Sequence, residues 1–192
     1  MTDTNDREFL LKIARDAVTA HVGRASRSGG PERPAPRAES PEGFESRKGG
    51  AFVTIHHRGE LRGCIGHVDA DELLVRVIAQ CAASACSADP RFAPVAADEL
   101  PDIDVELSLL GPLEPVNGPA DIEVGRHGLV VSRGGRRGLL LPQVATEWQW
   151  DALMFLVQTC RKAGLPADAW KDGATIWRFE AEVFGEHEER GT

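Results

Sequence analysis

No apolar run in the sequence is long enough to span a bilayer, so no transmembrane helix is predicted. The first residues, MTDTND, are polar and acidic rather than basic and then apolar. They are unlike a secretory signal peptide, and we therefore expect a cytoplasmic location without membrane attachment. In that compartment the cysteines should stay reduced.

Several motifs that bind cofactors are also missing. No C-x-x-C pair and no cluster of three cysteines occurs, which disfavours a structural zinc site or an iron–sulfur cluster. The sequence contains no P-loop, no dinucleotide-binding G-x-G-x-x-G, no G-x-S-x-G and no H-E-x-x-H. We therefore predict no cofactor and no metal site.

Cations are fewer than anions. Lysine and arginine together number 22, against 30 aspartates and glutamates, which gives a formal net charge of −8. Nucleic-acid-binding proteins usually carry a basic surface, so a nucleic-acid partner is disfavoured. The length of 192 residues and the hydrophobic content of 42% suit one globular domain, or two small subdomains that share a core.

Apolar residues are nearly absent between residues 24 and 50, where Gly, Ser, Pro, Arg and Glu dominate. Such a composition buries too little surface to offset the entropy of ordering, so a flexible loop is predicted there. Residues 1–23 carry apolar side chains at helical spacing. They predict an N-terminal helix, from about Asp6 to His21, that is part of the domain.

The rest of the chain alternates between strand and helix patterns without a regular strand–helix–strand period. We therefore predict an α+β fold with a mostly antiparallel or mixed sheet and flanking helices. The predicted strands are 51–55, Leu61 onward, 103–109, a hairpin within 122–142, and 174–184 as a pair or as one strand; the predicted helices carry Leu73 to Ala85 and, opening at Thr146, Trp150 to Cys160.

The stretch around Cys64, Leu61-Arg62-Gly63-Cys64-Ile65-Gly66-His67, is the most informative one. In an extended strand the side chains of Arg62, Cys64 and Gly66 share one face. The Arg62 guanidinium would then lie beside the sulfur, and a nearby cation is one way to lower a thiol pKa and produce a reactive thiolate. The alternative is a tight hairpin strand that buries a small cysteine, the commoner fate of a single cysteine.

A reactive Cys64 would need a base. His67 faces away from it along an extended strand, unless Gly66 bends the chain. Other candidates are Glu106 and His127, which precedes a glycine in a tight turn. His127 equally fits a loop histidine without a chemical role.

Two further polar features follow the strand patterns. Gln143 and Glu147 are four residues apart, so they share one face if the helix begins early enough. Glu147 is a candidate for proton transfer, and it equally suits the positive end of the helix dipole. The hairpin tip at 133–137, Arg-Gly-Gly-Arg-Arg, could offer N–H groups and cations to a phosphate, although a solvated turn explains it as well.

The stretch LRGCIG at 61–66 resembles the six-residue signature of the AMMECR family, whose prokaryotic members are called AmmeMemoRadiSam system protein A. The resemblance covers residues 51–184, which we interpret as an AMMECR-like core that precedes an acidic C-terminal tail, 185–192. The other matching blocks are G-A-F-V-T at 50–54, D-P-R-F at 89–92 with Pro94, Glu99 and Leu100, I-D-V-E-L-S at 103–108 with Leu110, R-H-G-L at 126–129, G-L-L-L-P-Q-V-A at 138–145 with Glu147, Trp150-Asp151, F-L at 155–156, Cys160, K-A-G-L at 162–165 and Trp170.

The resemblance implies an α+β fold with a larger and a smaller subdomain and a cleft between them near Cys64. It implies no established reaction. The family name implies an association with a Memo-type protein, similar to non-haem iron dioxygenases, and a radical S-adenosylmethionine protein in a shared modification pathway. In that setting this chain would perform a thiol-assisted step, handle a substrate or act as a scaffold.

Two functions remain open. In an enzyme, Cys64 would be the nucleophile or redox thiol, and His127 or Glu147 would transfer the proton. In a non-catalytic binding module, the cleft would hold an unknown small molecule or peptide, and Cys64 would be inert packing. The candidate residues for substrate or ligand binding are Arg62, Gly63, Gly66, Glu106 and Gln143.

Overall fold

The computed structural model of the protein describes residues 2–25, 46–68 and 71–189. It has the predicted α+β fold, with antiparallel strand pairs and flanking helices. The chain divides into two compact units, of which unit 1 comprises Met1–Leu110 with Glu182–Thr192 and unit 2 comprises Gly111–Ala181. The division into two subdomains is thus confirmed, and the cleft stays a prediction.

Unit 1 contains a sheet in which β1 (Ala51–His57) pairs antiparallel with β2 (Glu60–His67) on one side and with β3 (Ile103–Leu110) on the other. A further strand, β7, starts in unit 2 and ends in unit 1. The elements are α1 (Thr4–Ala25), β1 (Ala51–His57), β2 (Glu60–His67), α2 (Leu74–Ala85), a 3₁₀ helix (Ala97–Asp102), β3 (Ile103–Leu110), β7 (Thr175–Gly185) and α5 (Glu186–Glu189).

The core of unit 1 lies between one face of this sheet and helices α1 and α2. Alternation places Val53 and Ile55 of β1 and Leu107 of β3 on that face, and all three are fully buried. Val77 and Ile78 of α2 pack into the same core. Each such burial contributes roughly 1.5–3 kcal/mol, and a slip of one residue would turn the apolar set away from the helices. The core therefore fixes which side chains lie on the opposite face.

Unit 2 is built around strand β5 (His127–Arg133), which pairs antiparallel with β6 (Arg136–Leu140) and with β7, while β4 (Glu114–Pro115) also pairs with β7. Its core joins Leu129 and Val131 of β5 to Phe155, Leu156 and Cys160 of α4. The elements are β4 (Glu114–Pro115), a 3₁₀ helix (Pro119–Asp121), β5 (His127–Arg133), β6 (Arg136–Leu140), α3 (Pro142–Glu147), α4 (Ala152–Lys162), a 3₁₀ helix (Ala169–Lys171) and the start of β7.

One predicted helix boundary is wrong. The sequence predicts a helix that opens at Thr146, but the chain forms the short α3 and then begins α4 at Ala152. The Asp151 side chain accepts a hydrogen bond from the Met154 N–H at 2.7 Å and caps α4. Gln149 adopts a left-handed φ of 54°, which interrupts the helical path.

The predicted flexible loop at 24–50 falls mostly on residues 26–45, which lie outside the described residues. Of the predicted tail, Glu186–Glu189 forms α5 and residues 190–192 lie outside the described residues. The limits of the 51–184 core stay a prediction. In the part of the chain that is described, no helix is long and apolar enough to cross a membrane.

Candidate functional site

The stretch around Cys64 forms strand β2. Cys64 lies directly across from Thr54 of β1, and Gly66 lies across from Phe52. Because Val53 and Ile55 of β1 point into the core, these residues occupy the opposite, more polar face. Arg62 lies at an irregularity of the ladder, because Ile55 pairs with Gly63 and His56 with Leu61, so the face that Arg62 shares with Cys64 stays a prediction.

Gly63 and Gly66 serve two different contacts. A Cβ atom on Gly63 would lie 2.1 Å from the carbonyl oxygen of Ala85, at the end of α2. A Cβ atom on Gly66 would lie 2.2 Å from the ring of Phe52. Either contact is far too short for a side chain, so both positions require glycine. The glycines thus admit a helix end on one face and an aromatic ring on the other.

The backbone of Cys64 is tied to a residue outside the sheet. Its N–H donates a hydrogen bond to Oδ2 of Asp89 at 2.9 Å, which directs this group away from β1. Cys64 and Thr54 therefore form a non-hydrogen-bonded pair of the ladder, the pair type in which side chains lie closest. The Thr54 hydroxyl accordingly donates a hydrogen bond to Sγ of Cys64 at 3.3 Å.

Burial raises the pKa of the Cys64 thiol above its ordinary value. The Thr54 hydrogen bond and the Arg91 charge act in the opposite direction, and the carboxylates Asp89 and Glu106 add to the rise. The balance keeps Cys64 a neutral thiol near pH 7. The surroundings of the sulfur therefore do not favour the activated thiolate that a neighbouring Arg62 suggested.

Arg62 is bound to other groups. Its Nε and Nη2 atoms donate to the two carboxylate oxygens of Glu99 at 2.8 and 3.0 Å. Its Nη1 and Nη2 atoms also donate to the carbonyl oxygens of Ala93 and Pro94. The structure thus corrects the expectation that Arg62 tunes the thiol. Its donors hold the segment from Ala93 to Glu99 against β2, and the cation that acts on the Cys64 pKa is Arg91.

Sequence reasoning missed Asp89 and Arg91 as parts of this site. The buried Asp89 carboxylate accepts hydrogen bonds from the Arg91 backbone N–H, from Nε at 2.9 Å and from Nη2 at 2.6 Å. The Arg91 side chain, as hydrogen-bond donor, holds the pKa of Asp89 far below its usual range. The D-P-R-F block at 89–92 contains both residues, but nothing in the sequence indicates that this block lies beside Cys64.

Glu106 extends the row of side chains across the sheet. It lies directly across from Thr54 on β3, so Cys64, Thr54 and Glu106 follow one another on three neighbouring strands. Its charge contributes to the raised pKa of Cys64. The predicted residues that unit 1 brings together around Cys64 are Arg62, Gly63, Gly66 and Glu106.

His127 has a structural role in unit 2. Its buried ring accepts a hydrogen bond at Nδ1 from the Glu123 N–H at 2.9 Å, and the backbone N–H of His127 donates to the Glu123 carbonyl oxygen. The ring proton is therefore assigned to Nε2. Burial, followed by the charges of Arg178 and Arg126, lowers the pKa of His127. The ring closes a turn as a neutral imidazole, which is not the arrangement of a poised base.

Gln143 and Glu147 lie on α3, which begins early enough to place them on one face, as predicted. Gln143 is half-buried and Glu147 is exposed. Glu147 is the last residue of this short helix, so it does not meet the positive end of a helix dipole. The predicted set of Cys64, His127 and Glu147 thus has members in both units, and its assembly stays a prediction.

The remaining cysteines, Cys81, Cys86 and Cys160, are buried and form no disulfide. Cys81 and Cys86 belong to the unit 1 core and Cys160 to the unit 2 core. Among the described residues, no group of three or more His, Cys, Asp or Glu side chains is arranged to hold a metal ion.

Comparison with known proteins places this architecture in a family. A sequence model of the AMMECR1 family matches residues 11–184. The chain belongs to the AMMECR1 family. One relative, from Methanothermobacter thermautotrophicus, is 48% identical over 184 residues, which cover 92% of this chain and 92% of that protein.

Other members are similarly close. Protein PF1979 of Pyrococcus furiosus is 43% identical, over 96% of this AMMECR1-family chain and 90% of its own length. The crystal structure of the uncharacterized protein PH0010 from Pyrococcus horikoshii matches with a TM-score of 0.80 and 39% identity, over 96% of this chain and 93% of that one. The fold around the Cys64 site is therefore that of a solved family structure.

Proposed function

We propose that this AMMECR1-family chain is a binding module whose ligand occupies the face of unit 1 around Cys64. The observation that carries the proposal is the set of contacts at Cys64: its sulfur accepts a hydrogen bond from Thr54 and its N–H binds Asp89, while burial raises the pKa of the thiol. A neutral thiol acts as a weak hydrogen-bond donor and a polarisable apolar contact. Neither role needs the thiolate that nucleophilic catalysis requires.

The groups beside the sulfur favour a ligand that carries an acceptor next to an apolar group. Asp89 occupies one edge of the Arg91 guanidinium, and no described residue accepts a hydrogen bond from its Nη1 atom. The Arg91 side chain is 53% exposed, so the N–H groups of its Nη1 atom can donate to a carbonyl or carboxylate oxygen of a ligand. The Phe52 ring over Gly66 offers apolar surface on the same sheet face.

Arg91 is fixed before a ligand arrives. Two side-chain hydrogen bonds hold it to a buried carboxylate, and its guanidinium carbon lies 5.3 Å from the centre of the Phe92 ring. An ordered side chain loses little conformational entropy when it binds. Arg91 is therefore suited to recognition of a peptide segment or a small carboxylic acid with an apolar side group.

An NMR screen of small carboxylic acids and amides with apolar side groups tests this proposal. Binders should shift the backbone signals of Cys64, Gly66 and Arg91. The Cys64→Ala variant should bind within about threefold of the wild type, whereas Arg91→Gln should bind about tenfold more weakly, through loss of one charge-assisted hydrogen bond. Arg126→Gln in unit 2 is the matched control, because it also removes the arginine partner of a carboxylate, here Glu123.

Two results would overturn the proposal. One is a set of binders whose shifts map away from the Cys64 face. The other is a Cys64→Ala variant that keeps its fold but binds none of the compounds, because a neutral contact cannot be indispensable. The latter result would favour the second candidate function.

The second candidate is a thiol-assisted step in a modification pathway, with Memo-type and radical S-adenosylmethionine proteins as partners. The Thr54 hydroxyl favours it, because a hydrogen bond to sulfur stabilises a thiolate once it forms. Glu106 would take the thiol proton while Sγ adds to an electrophilic carbonyl carbon; the C=O π bond breaks, and its electron pair moves to the carbonyl oxygen of the tetrahedral adduct. Co-purification of the three proteins and loss of modified product in Cys64→Ala test it. We place either function in the cytoplasm, where thiols stay reduced.

A further inference from the structure

Unit 2 carries a cluster of cations at the C-terminal end of helix α4. Arg133 and Arg136 flank the β5–β6 turn, Arg161 and Lys162 stand in the last turn of α4, and Lys171 lies in the 3₁₀ helix that follows. These residues are termed the basic surface. All are exposed except Arg133, which is half-buried.

Close packing brings the hairpin against the end of α4. A Cβ atom on Gly138 of β6 would lie 2.4 Å from the backbone nitrogen of Ala163, the residue after Lys162. The Nη1 atom of Arg136 donates a hydrogen bond to the Gly164 carbonyl at 2.8 Å. The arginines of the hairpin and the cations of the helix end therefore lie on one surface.

A second hydrogen bond adds the segment after α4. The Nη1 atom of Arg133 donates to the carbonyl oxygen of Asp172 at 2.7 Å, next to Lys171. The Lys171 ammonium lies 5.1 Å from the centre of the Trp170 ring. Three separate segments of unit 2 thus contribute cations to the basic surface.

These cations differ from the described arginines that form ion pairs. In the described part of the chain, no carboxylate lies within ion-pair distance of any residue of the basic surface, and the hydrogen bonds of Arg133 and Arg136 go to uncharged carbonyl oxygens. Among the residues that the structure describes, this positive charge therefore has no carboxylate partner. By contrast, each of the following binds a carboxylate: Arg7, Arg15, Arg58, Arg62, Arg91, Arg126 and Arg178.

Local structure explains only part of the cluster. Arg161 and Lys162 complement the negative end of the α4 dipole, which accounts for cations in a last turn. The dipole does not account for Arg133 or Lys171, which belong to other elements. Exposed Asp168 and Asp172 reduce the local charge, but the cations outnumber them.

We propose that the basic surface is the docking site for an acidic segment of a partner protein. Complementary charge steers such partners and fixes their orientation. The whole chain carries a net charge of −8, so the attraction is local and acts over roughly 8 Å at physiological ionic strength. A short run of aspartates and glutamates can stay on the basic surface, whereas a long nucleic acid would extend over the acidic remainder of the chain.

Fluorescence anisotropy with a labelled decaglutamate peptide and the full chain tests the proposal. Binding should be strongest at low ionic strength and weaken as salt is added. The double variant R161E/K162E should bind at least about tenfold more weakly, because charge reversal replaces attraction by repulsion. The control K12E/R76E reverses two exposed cations of unit 1 and should bind within about twofold of the wild type.

Further variants separate docking from folding. R161Q/K162Q leaves no repulsive charge at the end of α4 and should give an intermediate loss, with a far-UV spectrum like that of the wild type. The proposal is overturned if decaglutamate does not bind, if K12E/R76E loses as much affinity as R161E/K162E, or if a labelled deoxythymidine decamer binds more tightly than decaglutamate.

Discussion

The hydroxyl of Thr54 donates a hydrogen bond to the Sγ atom of Cys64 at 3.3 Å, across two paired strands. This bond favours the thiolate, but burial of the sulfur favours the thiol more strongly. Cys64 is therefore protonated at rest and carries, in Thr54, a group that would stabilise its charged form. The pKa of Cys64 therefore reports the balance between burial, which raises it, and the Thr54 hydrogen bond, which lowers it.

The first prediction concerns the pH at which Cys64 reacts. Alkylation of the folded protein by iodoacetamide should increase with pH around a midpoint above that of an ordinary thiol, about 8.5. Thr54→Val should move the midpoint higher, because it removes the hydrogen bond that lowers the Cys64 pKa. Mass spectrometry of the Cys64 peptide gives the rates, with urea-unfolded protein as control. A midpoint near neutral pH would restore the nucleophile.

Asp89→Asn should lower the free energy of unfolding by roughly 2–4 kcal/mol. The buried site would lose the charged acceptor that Arg91 and the Cys64 N–H share. Urea denaturation at pH 7 measures the change. Asp98→Asn, at an exposed carboxylate of the same unit, should change stability by less than about 0.5 kcal/mol.

The stability that Asp89 contributes should depend on pH. The pKa of Asp89 is lowered by folding, so its stabilising effect is complete above its unfolded pKa of about 3.9 and is lost as the pH falls toward the folded pKa. The difference in unfolding free energy between wild type and Asp89→Asn should stay constant from neutral pH to about pH 5 and shrink below about pH 4. A difference that grew in acid would contradict the ion pair.

Gly63→Ala should destabilise the protein by about 2 kcal/mol or more, because the added methyl group meets the Ala85 carbonyl oxygen and the end of α2 must move. Gly118→Ala is the control: its φ of 173° is extended and nothing lies within 4 Å of an added Cβ. It should unfold within about 0.5 kcal/mol of the wild type. Thermal and urea unfolding distinguish the two. Equal stability of both variants would disprove the close contact at Gly63.

His127→Leu should cost roughly 1–3 kcal/mol, because the Glu123 N–H loses its acceptor in a buried turn. His127→Asn, whose side-chain oxygen can take the place of Nδ1, should recover part of this loss. Folding lowers the His127 pKa, so the unfolded chain binds the proton more readily and wild-type stability should fall as the pH drops below about 6.5. Neither variant should show that fall, and its persistence in both would assign it to another group.

Local spacing was sufficient to predict much of unit 1. The alternation in β1 and β3 has a period of two, so it indicates both the strands and the face that holds Cys64. The start of α4 was harder to predict from the sequence, because Thr146 and Asp151 are both residue types that cap helices. The left-handed backbone of Gln149 decides between them, and no rule of composition indicates it.

The partners of the Cys64 site could not be predicted from spacing. Asp89 is 25 residues from Cys64, and Glu99 is 37 residues from Arg62. These contacts depend on how α2 and the loop after it return the chain to β2, which is a property of packing. For the same reason the sequence assigned the cation beside the sulfur to the near Arg62 rather than to the distant Arg91.

Strand β2 is the first in the order of the unit 1 sheet, so no strand of the described residues pairs with the other side of its backbone. Exposed strand edges with unpaired N–H groups are where folded proteins recruit strands from other molecules. At Cys64 the N–H already donates to the Asp89 carboxylate, which is paired with the charged Arg91. Asp89 thus removes one N–H of this edge from intermolecular pairing, and a chain without Asp89 should aggregate more readily while still folded.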